Sequence, residues 1–192
     1  KRRLERLVEH DALTGALNRH SLDRMIESAV IKTAELKHTT SVLMLDLDHF
    51  KSINDEYGHS VGDKVLEETS KEIKQTCRTE DSVCRYGGEE FIVVLKNCAE
   101  SDAIGVANKV RRNITRRLAF IVKDREITVS VGCCEVHSYD SVRGLLERVD
   151  KLLYRAKSSG RNKTCAETHS EDECEDPGGS GGNVLCISGQ RP

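Results

Sequence analysis

Short apolar runs and longer stretches with helical spacing follow one another along this chain. Residues 41–47 read SVLMLDL, an apolar run that is too short for a helix and contains an acid near its end. Such a run is typical of a strand buried on both faces. The dipeptide of Gly87 and Gly88 is a two-residue hairpin signal between two further strands. The predicted strands are 41–47, 81–86, 89–96 and 127–136.

Apolar side chains recur every three or four residues between these strands, which predicts helices. In the first helix the apolar face consists of Leu22, Met25, Ile26, Ala29, Val30 and Ala34. The predicted helices are 21–37, 58–77, 99–118 and 141–158. This order is the β-α-β-β-α-β pattern, with one outer strand missing or displaced. The fold class is therefore α/β (α+β sandwich), with a ferredoxin-like or polymerase-palm-like central antiparallel sheet flanked by helices.

Both ends of the chain have a different pattern from its middle. Leu4, Leu7 and Val8 have the spacing of a helical stripe, which predicts the end of a connector helix over residues 1–10. Residues 11–165 form the predicted domain. Residues 166–192 contain an acidic run and a Gly-rich run, so this tail can bury little surface and is predicted to be disordered. A regulatory acidic tail is the alternative.

Composition excludes several classes of function. The chain has 192 residues, 32% of them charged, and a net charge of −2, so it lacks the basic excess of a nucleic-acid-binding protein. No apolar run reaches the roughly 20 residues needed to span a bilayer, so we expect no membrane contact by this segment. The 8 cysteines include no Cys-x-x-Cys pair. We interpret them as reduced buried thiols of a cytoplasmic protein, and a disulfide framework is the alternative.

Acidic residues stand at the ends of two predicted strands. Asp46 and Asp48 end the first, and Glu89 and Glu90 begin the third. An acid in a buried run is costly unless it is paired or binds a cation. If the two strands are neighbours, Asp46 and Glu89 can share one hard cation such as Mg²⁺. Alternatively, Asp46 is a helix N-cap, and the two glutamates are a charged start to an edge strand.

Polar residues near these acids have the chemistry that a nucleotide needs. Lys51 offers a positive charge for phosphate, and Asn54 and Asp63 offer the groups that pair with a guanine edge. Lys157 and Arg161 bracket a predicted helix end and suit a polyphosphate. The alternative for the last two is a solvated helix end favoured by the helix dipole.

Several motifs in this order resemble the GGDEF family of diguanylate cyclases over residues 8–164. RYGGEEF at 85–91 is similar to the signature loop in its GGEEF form. DLDHFKSIND at 46–55, followed by GH at 58–59 and GD at 62–63, is similar to the metal and guanine segment. Three further motifs match: the entry motif DALTGALNR at 11–19, the core strand VSVG at 129–132 and the closing motif DKLLYRAKSSGRN at 150–162.

This resemblance implies an enzyme that condenses two GTP into cyclic di-GMP and acts as a homodimer. It implies that Asp46, the backbone carbonyl of Leu47 and Glu89 hold Mg²⁺ or Mn²⁺, with Glu90 nearby. Glu89 would also be the base, and Lys51 would stabilise the charge on the α-phosphate. The implied substrate-binding residues are Phe50, Asn54, His59, Asp63, Gly87, Gly88, Lys157 and Arg161.

The resemblance also implies regulation. Arg78 and Asp81 are the first and last residues of RTED at 78–81, a segment that is similar to the family's inhibitory RxxD site for cyclic di-GMP. An N-terminal sensor domain is expected in the full-length protein, which could place this segment on the cytoplasmic side of a membrane-bound sensor. Two alternatives remain, namely a degenerate domain that only binds nucleotide and a cyclase with another base preference. The intact motif residues disfavour a degenerate domain, and Asp63 disfavours a cyclase with another base preference.

Overall fold

Five strands and five helices follow one another along residues 9–167, the part of the chain that the computed structural model describes. The strands are β1 (Thr40–Leu47), β2 (Ser82–Gly87), β3 (Glu90–Lys96), β4 (Val129–Glu135) and β5 (Thr164–Ala166). The helices are α1 (Arg19–Leu36), α2 (Phe50–Tyr57), α3 (His59–Thr76), α4 (Glu100–Leu118) and α5 (Val142–Ser158). In residues 9–167 no helix is long and apolar enough to cross a membrane.

The sheet has the order β2-β3-β1-β4-β5, and its first four strands are antiparallel. The predicted central antiparallel sheet flanked by helices is therefore confirmed. The expectation that an outer strand is missing or displaced is wrong, because β1 to β4 supply the whole β-α-β-β-α-β pattern. The fifth strand, β5, pairs parallel to β4 at the edge. It has only 3 residues, too few to produce a periodic signal.

Helices cover both faces of the sheet, so every residue of β1 is buried. Leu43, Leu45 and Leu47 point to the face covered by α2, α3 and α4. Val42 and Met44 point to the opposite face, where α1 and α5 pack. Because side chains alternate along a strand, Asp46 lies on the same face as Met44 and α5. This alternation directs the acid towards α5 and not into the leucine core.

Two local features differ from the prediction. The segment expected to be a loop after β1 contains α2, which buries only Phe50 and Ile53 and is too short to show a clear period. The hairpin turns at Gly88 and Glu89, one residue later than predicted, because the register shifts between Arg85 and Gly87. Glu89 is thus a turn residue and not the first residue of a strand.

The predicted connector stripe of Leu4, Leu7 and Val8 lies outside the described residues, as do residues 168–192 of the predicted tail. Ala166, where that tail was expected to begin, is the last residue of β5. The described chain contains free thiols at Cys77, Cys84, Cys98, Cys133 and Cys134, and all but Cys77 are buried. Burial raises the pKa of Cys84 to about 12, so this thiol is unreactive at neutral pH.

Candidate active site

Asp46 lies at the end of β1, where it is opposite Glu90 of β3 and Ser130 of β4. Its side chain is 10% exposed. The ammonium Nζ of Lys157, in the last turn of α5, lies 2.7 Å from its Oδ2. The predicted neighbourhood of Asp46 and the signature loop is thus present at one end of the sheet. The contact between Lys157 and Asp46 was not predicted from the sequence.

Negative charge exceeds positive charge in this cluster. Burial raises the pKa of Asp46, the hydrogen bond and charge of Lys157 oppose this change, and the charges of Glu89 and Asp48 add to it. Burial also raises the pKa of Glu90, and the charge of Asp46 raises it further. Several carboxylates around one lysine are an arrangement that a bound cation would stabilise.

Asp48 has a different environment from Asp46. The residue is 5% exposed, and its carboxylate accepts hydrogen bonds from Thr128 Oγ1 at 2.7 Å, Ser130 Oγ at 2.7 Å and the backbone N–H of Asn162 at 3.2 Å. These donors satisfy the buried charge without a metal. Of the two aspartates that end β1, only Asp46 faces the carboxylate cluster.

Arg85 connects the signature loop to the entry motif. Its Nε and Nη2 donate to the carbonyl of Gly88 at 3.0 and 2.8 Å, and its Nη1 contacts the carboxylate of Asp11 at 3.1 and 3.2 Å. Gly88 has φ of 39°, a conformation that favours glycine. Both motifs were visible in the sequence, but 74 positions separate Arg85 from Asp11, and no spacing rule predicted their contact.

The chemistry of the donors suits a hard cation. In residues 9–167 no three His, Cys, Asp or Glu side chains form a group that could hold a metal ion by themselves. The expected set uses carboxylates of Asp46, Glu89 and Glu90 with the backbone carbonyl of Leu47, all at the same sheet end. Mg²⁺ suits such a site, because it takes few protein ligands and completes its shell with waters and phosphate oxygens.

The residues predicted to bind guanine lie on α2 and α3, which follow β1. Asn54 on α2 packs against Gly62 on α3 so closely that a Cβ at Gly62 would lie 1.9 Å from Asn54 Oδ1. Phe50 is buried beneath this contact, with its Cζ 3.3 Å from the same Cβ position. His59 and Asp63 are exposed on the first turns of α3. The side chain of Lys51, on the first turn of α2, is also exposed.

Arg161 lies in the turn that follows α5. Gly160, Arg161 and Asn162 have φ of 115°, 63° and 48°, so three consecutive residues have positive φ. Arg161 is exposed, and the side chain of Lys157 is 33% exposed. The two cations predicted to bind polyphosphate thus flank one helix end, and Lys157 is in contact with Asp46.

The RxxD pair lies at the other end of β3. The carboxylate of Asp81 accepts from the backbone N–H groups of Arg78 at 2.9 Å and Lys96 at 3.1 Å. Lys96 ends β3 and Glu90 begins it, which separates the pair from the carboxylate cluster by roughly 20 Å of strand. Arg78 and Asp81 line a surface cavity of about 410 Å³ together with His10 and Lys74.

Comparison with known proteins gives consistent matches. Residues 8–163 match the sequence model of the family described as diguanylate cyclase, GGDEF domain. Diguanylate cyclase A of Treponema denticola is 45% identical over 136 residues, which are 68% of this chain and 36% of that protein. Diguanylate cyclase DgcM of Escherichia coli K12 is 37% identical over 163 residues, 85% of this chain and 39% of that protein.

Solved structures match in the same way. The coiled coil and GGDEF domain of DgcB from Caulobacter crescentus, in complex with c-di-GMP, has a TM-score of 0.79 and 29% identity. That match covers 86% of this chain and 88% of the other. The active GGEEF domain of a diguanylate cyclase from Vibrio cholerae has a TM-score of 0.74 and 32% identity, over 80% of this chain and 98% of the other.

The chain spans 36% to 44% of the length of the first curated relatives that it matches. Its match to the family model nevertheless extends from the entry motif through the signature loop to the closing motif. The fold agrees, because the structural relatives are GGDEF domains with the same arrangement of sheet and helices. The chain therefore belongs to the GGDEF-domain family of diguanylate cyclases.

Proposed function

We propose that residues 11–165 are the catalytic domain of a diguanylate cyclase, which condenses two GTP molecules into cyclic di-GMP and releases two pyrophosphates. The observation that carries this proposal is the sheet-end cluster in which Asp46 is opposite Glu90 and binds Lys157. The adjacent turn contributes Glu89. Carboxylates and a cation in one place are what phosphoryl transfer from a nucleoside triphosphate requires.

The proposed reaction is an attack of the 3′-oxygen of one GTP on the α-phosphorus of the other. Glu89 takes the proton of the 3′-hydroxyl, the new P–O bond forms, and pyrophosphate leaves as the bond to the β-phosphate oxygen breaks. Lys51 stabilises the negative charge on the α-phosphate. A second, identical step closes the ring.

Mg²⁺ or Mn²⁺ would be held by Asp46, the carbonyl of Leu47, Glu89 and Glu90, and would supply positive charge next to the phosphates. Lys157 and Arg161 hold the terminal phosphates. The contact between Lys157 and Asp46 supports this role, because it places the ammonium group beside the carboxylates. A neighbouring cationic side chain lowers the electrostatic cost of bringing a triphosphate to an acidic cluster.

Guanine recognition is assigned to α2 and α3. Asn54 and Asp63 pair with the base, and Phe50 and His59 contribute to the same pocket. The close approach of α2 to α3 at Gly62 supports this assignment, because it holds the amide of Asn54 beside the residue that precedes Asp63. In the signature loop, Gly87 and Gly88 let the backbone approach the nucleotide.

One domain holds one GTP, so we propose that two copies face each other as a homodimer for each reaction. An N-terminal sensor domain would control this encounter, and the enzyme would work in the cytoplasm, where GTP is present.

Product would bind Arg78 and Asp81 and restrain the enzyme. The cavity beside Arg78 supports that site. The variant Arg78→Ala should weaken inhibition by cyclic di-GMP. The control variant Glu80→Ala, at an exposed neighbouring residue, should leave the inhibition unchanged.

A degenerate domain that binds nucleotide and signals by contact is the second candidate. It is disfavoured because Asp46, Lys51, Asn54, Asp63 and Glu89 are all present. A cyclase with another base preference is disfavoured by Asp63, because a carboxylate accepts hydrogen bonds from the N–H groups of guanine.

The test incubates the concentrated protein with GTP and Mg²⁺ and separates the products by chromatography. The parent and the exposed-carboxylate control Glu126→Ala should form cyclic di-GMP, and Glu89→Ala should form none. Unreacted GTP in all three samples, at concentrations that force dimers, would support the second candidate and reject the proposal.

A further inference from the structure

The turn that contains Arg161 has a backbone conformation that needs support from its surroundings. Gly160 tolerates positive φ, and asparagine adopts it more readily than most residues, but Arg161 at 63° does not favour it. Such residues persist where neighbouring groups hold them in place. Within the helix end, the N–H of Arg161 donates to the carbonyl of Ala156 at 3.0 Å, which returns the chain towards α5.

Asp48 binds the turn from the end of β1. Its Oδ2 accepts the N–H of Asn162 at 3.2 Å, and the hydroxyls of Thr128 and Ser130 donate to the same carboxylate at 2.7 Å each. The N–H of Asp48 also donates to the carbonyl of Thr128 at 2.9 Å. The carboxylate is therefore fixed on β1 and the adjoining residues of β4, and its contact with Asn162 anchors the turn to the sheet.

Arg111 binds the same turn from α4. Arg111 is 2% exposed as a residue, and its Nη1 donates to the carbonyl of Asn162 at 2.7 Å and also to Asn162 Oδ1. Asn108, one turn earlier on α4, accepts from the hydroxyl of Thr164 at 2.9 Å. The negative charge of Asp48 meets the N–H of Asn162, and the positive charge of Arg111 meets its C=O. Each charge thus matches the sign of the backbone dipole that it contacts.

We propose that Asp48 and Arg111 are positioning residues for the triphosphate, which act through Arg161 and touch no substrate atom themselves. This inference rests on the proposed function, since it requires Arg161 to bind the terminal phosphates. Asp48 is two residues from Asp46, so the network holds the polyphosphate-binding turn at a fixed distance from the strand end that carries the carboxylate cluster. Loss of either residue leaves Arg161 present but badly placed.

The experiment measures binding of two ligands by titration calorimetry in Mg²⁺. The first is 3′-deoxy-GTP, which lacks the attacking hydroxyl, and the second is GMP, which lacks the terminal phosphates. Asp48→Asn should weaken 3′-deoxy-GTP binding by about tenfold, because the misplaced Arg161 loses one charge-assisted contact with the terminal phosphates. Its affinity for GMP should stay within about twofold of the parent's. Asn54→Ala, the control in the guanine site, should weaken both ligands.

A double-mutant cycle separates positioning from a general loss of structure. Asp48→Asn added to Arg161→Ala should cause no further loss of 3′-deoxy-GTP affinity, because the side chain that Asp48 positions is already gone. Additive losses, or equal losses for both ligands, would overturn the inference. If circular dichroism shows that Asp48→Asn does not fold, Arg111→Lys enters the same cycle with the same criteria.

The outcomes also separate this inference from the proposed function. A parent protein that binds neither ligand rejects both. A parent that binds both ligands, together with an Asp48→Asn protein of unchanged affinities, rejects the positioning role alone and leaves the proposed nucleotide site intact.

Discussion

At the scale of the residue, Gly62 is the position where a single methyl group would be felt most directly in the candidate guanine site. A Cβ at this position would lie 1.9 Å from Asn54 Oδ1 and 3.3 Å from Phe50 Cζ. Asn54 would have to rotate away, although alanine itself favours the helix by roughly 1 kcal/mol. We therefore expect Gly62→Ala to keep the thermal midpoint within a few degrees and to weaken GTP binding by roughly tenfold.

Titration calorimetry and thermal unfolding of the same samples check this expectation. Gly105→Ala is the matched control, because Gly105 is exposed on α4 and nothing beyond the adjacent backbone of the helix lies within 4 Å of its Cβ position. It should raise the midpoint slightly and leave GTP affinity unchanged. Unchanged affinity in Gly62→Ala would show that the contact between α2 and α3 does not position Asn54 for the base.

Glu68 determines a pH-dependent part of the stability. Its side chain is 5% exposed, and it binds Lys71 Nζ at 2.7 Å and Arg117 Nε at 2.8 Å. Hydrogen bonds from Lys71 and Arg117 lower the pKa of Glu68 to about 2 from its ordinary 4.5. A lowered pKa means that the contribution is complete above the ordinary value and is lost as the pH falls towards 2.

We expect Glu68→Gln to reduce the free energy of unfolding at pH 7 by about 1–2 kcal/mol, since half-exposed partners are screened by solvent. Urea unfolding between pH 7 and pH 3 measures the difference between parent and variant, which should shrink as the pH falls. Glu67→Gln is the control, because Glu67 is the neighbour of Glu68 and its own carboxylate contacts Lys64 at 3.4 Å. This variant should have little effect on the free energy of unfolding. A difference that stays constant with pH would contradict the role of the charge.

At the scale of the element, the packing of α5 on β4 depends on Gly132. A Cβ there would lie 2.4 Å from the carbonyl oxygen of Val149 and 2.6 Å from the N atom of Leu153. Both are backbone atoms of α5, so a rotamer change cannot relieve the clash. The helix has to move away from the sheet, and it carries Lys157 with it.

Gly132→Ala should therefore lower the free energy of unfolding by about 3 kcal/mol, which is typical of overpacking against rigid backbone. Urea unfolding measures the loss, and Gly105→Ala again serves as the control. The folded fraction of the variant should also bind GTP more weakly than the parent, because α5 positions Lys157. Normal stability in Gly132→Ala would mean that α5 can shift without cost.

At the scale of the whole molecule, the proposed reaction needs two domains, each with one GTP. The rate per protomer should therefore rise with protein concentration until dimers predominate, because encounter of two copies precedes chemistry. Initial rates of cyclic di-GMP formation over about a hundredfold range of concentration test this, and analytical ultracentrifugation measures the dimer over the same range. A rate per protomer that stays constant while the protein is monomeric would exclude the dimer requirement.

Much of this molecule was predictable from local pattern. Short apolar runs and the Gly87-Gly88 turn signal identified β1 to β4. Helical spacing identified α1, α3, α4 and α5, because each of these helices buries an apolar face. The neighbourhood of Asp46 and the signature loop could be expected as well, because the β-α-β-β-α-β order makes β1 and β3 neighbours. The chemical roles of the individual site residues stay predictions.

Other features depended on contacts between residues far apart in the chain. Asp46 and Asp48 look equivalent in the sequence, yet one faces Lys157 and the other is satisfied by Thr128, Ser130 and Asn162. The contacts of Arg85 with Asp11 and of Arg111 with Asn162 likewise join separate motifs. The sequence by itself determined β1 to β4, α1, α3, α4 and α5, their order and the types of residue at the candidate site, because these follow from local spacing. Only the tertiary structure decided which charged groups meet, because their partners come from distant segments that the packing of helices on the sheet brings together.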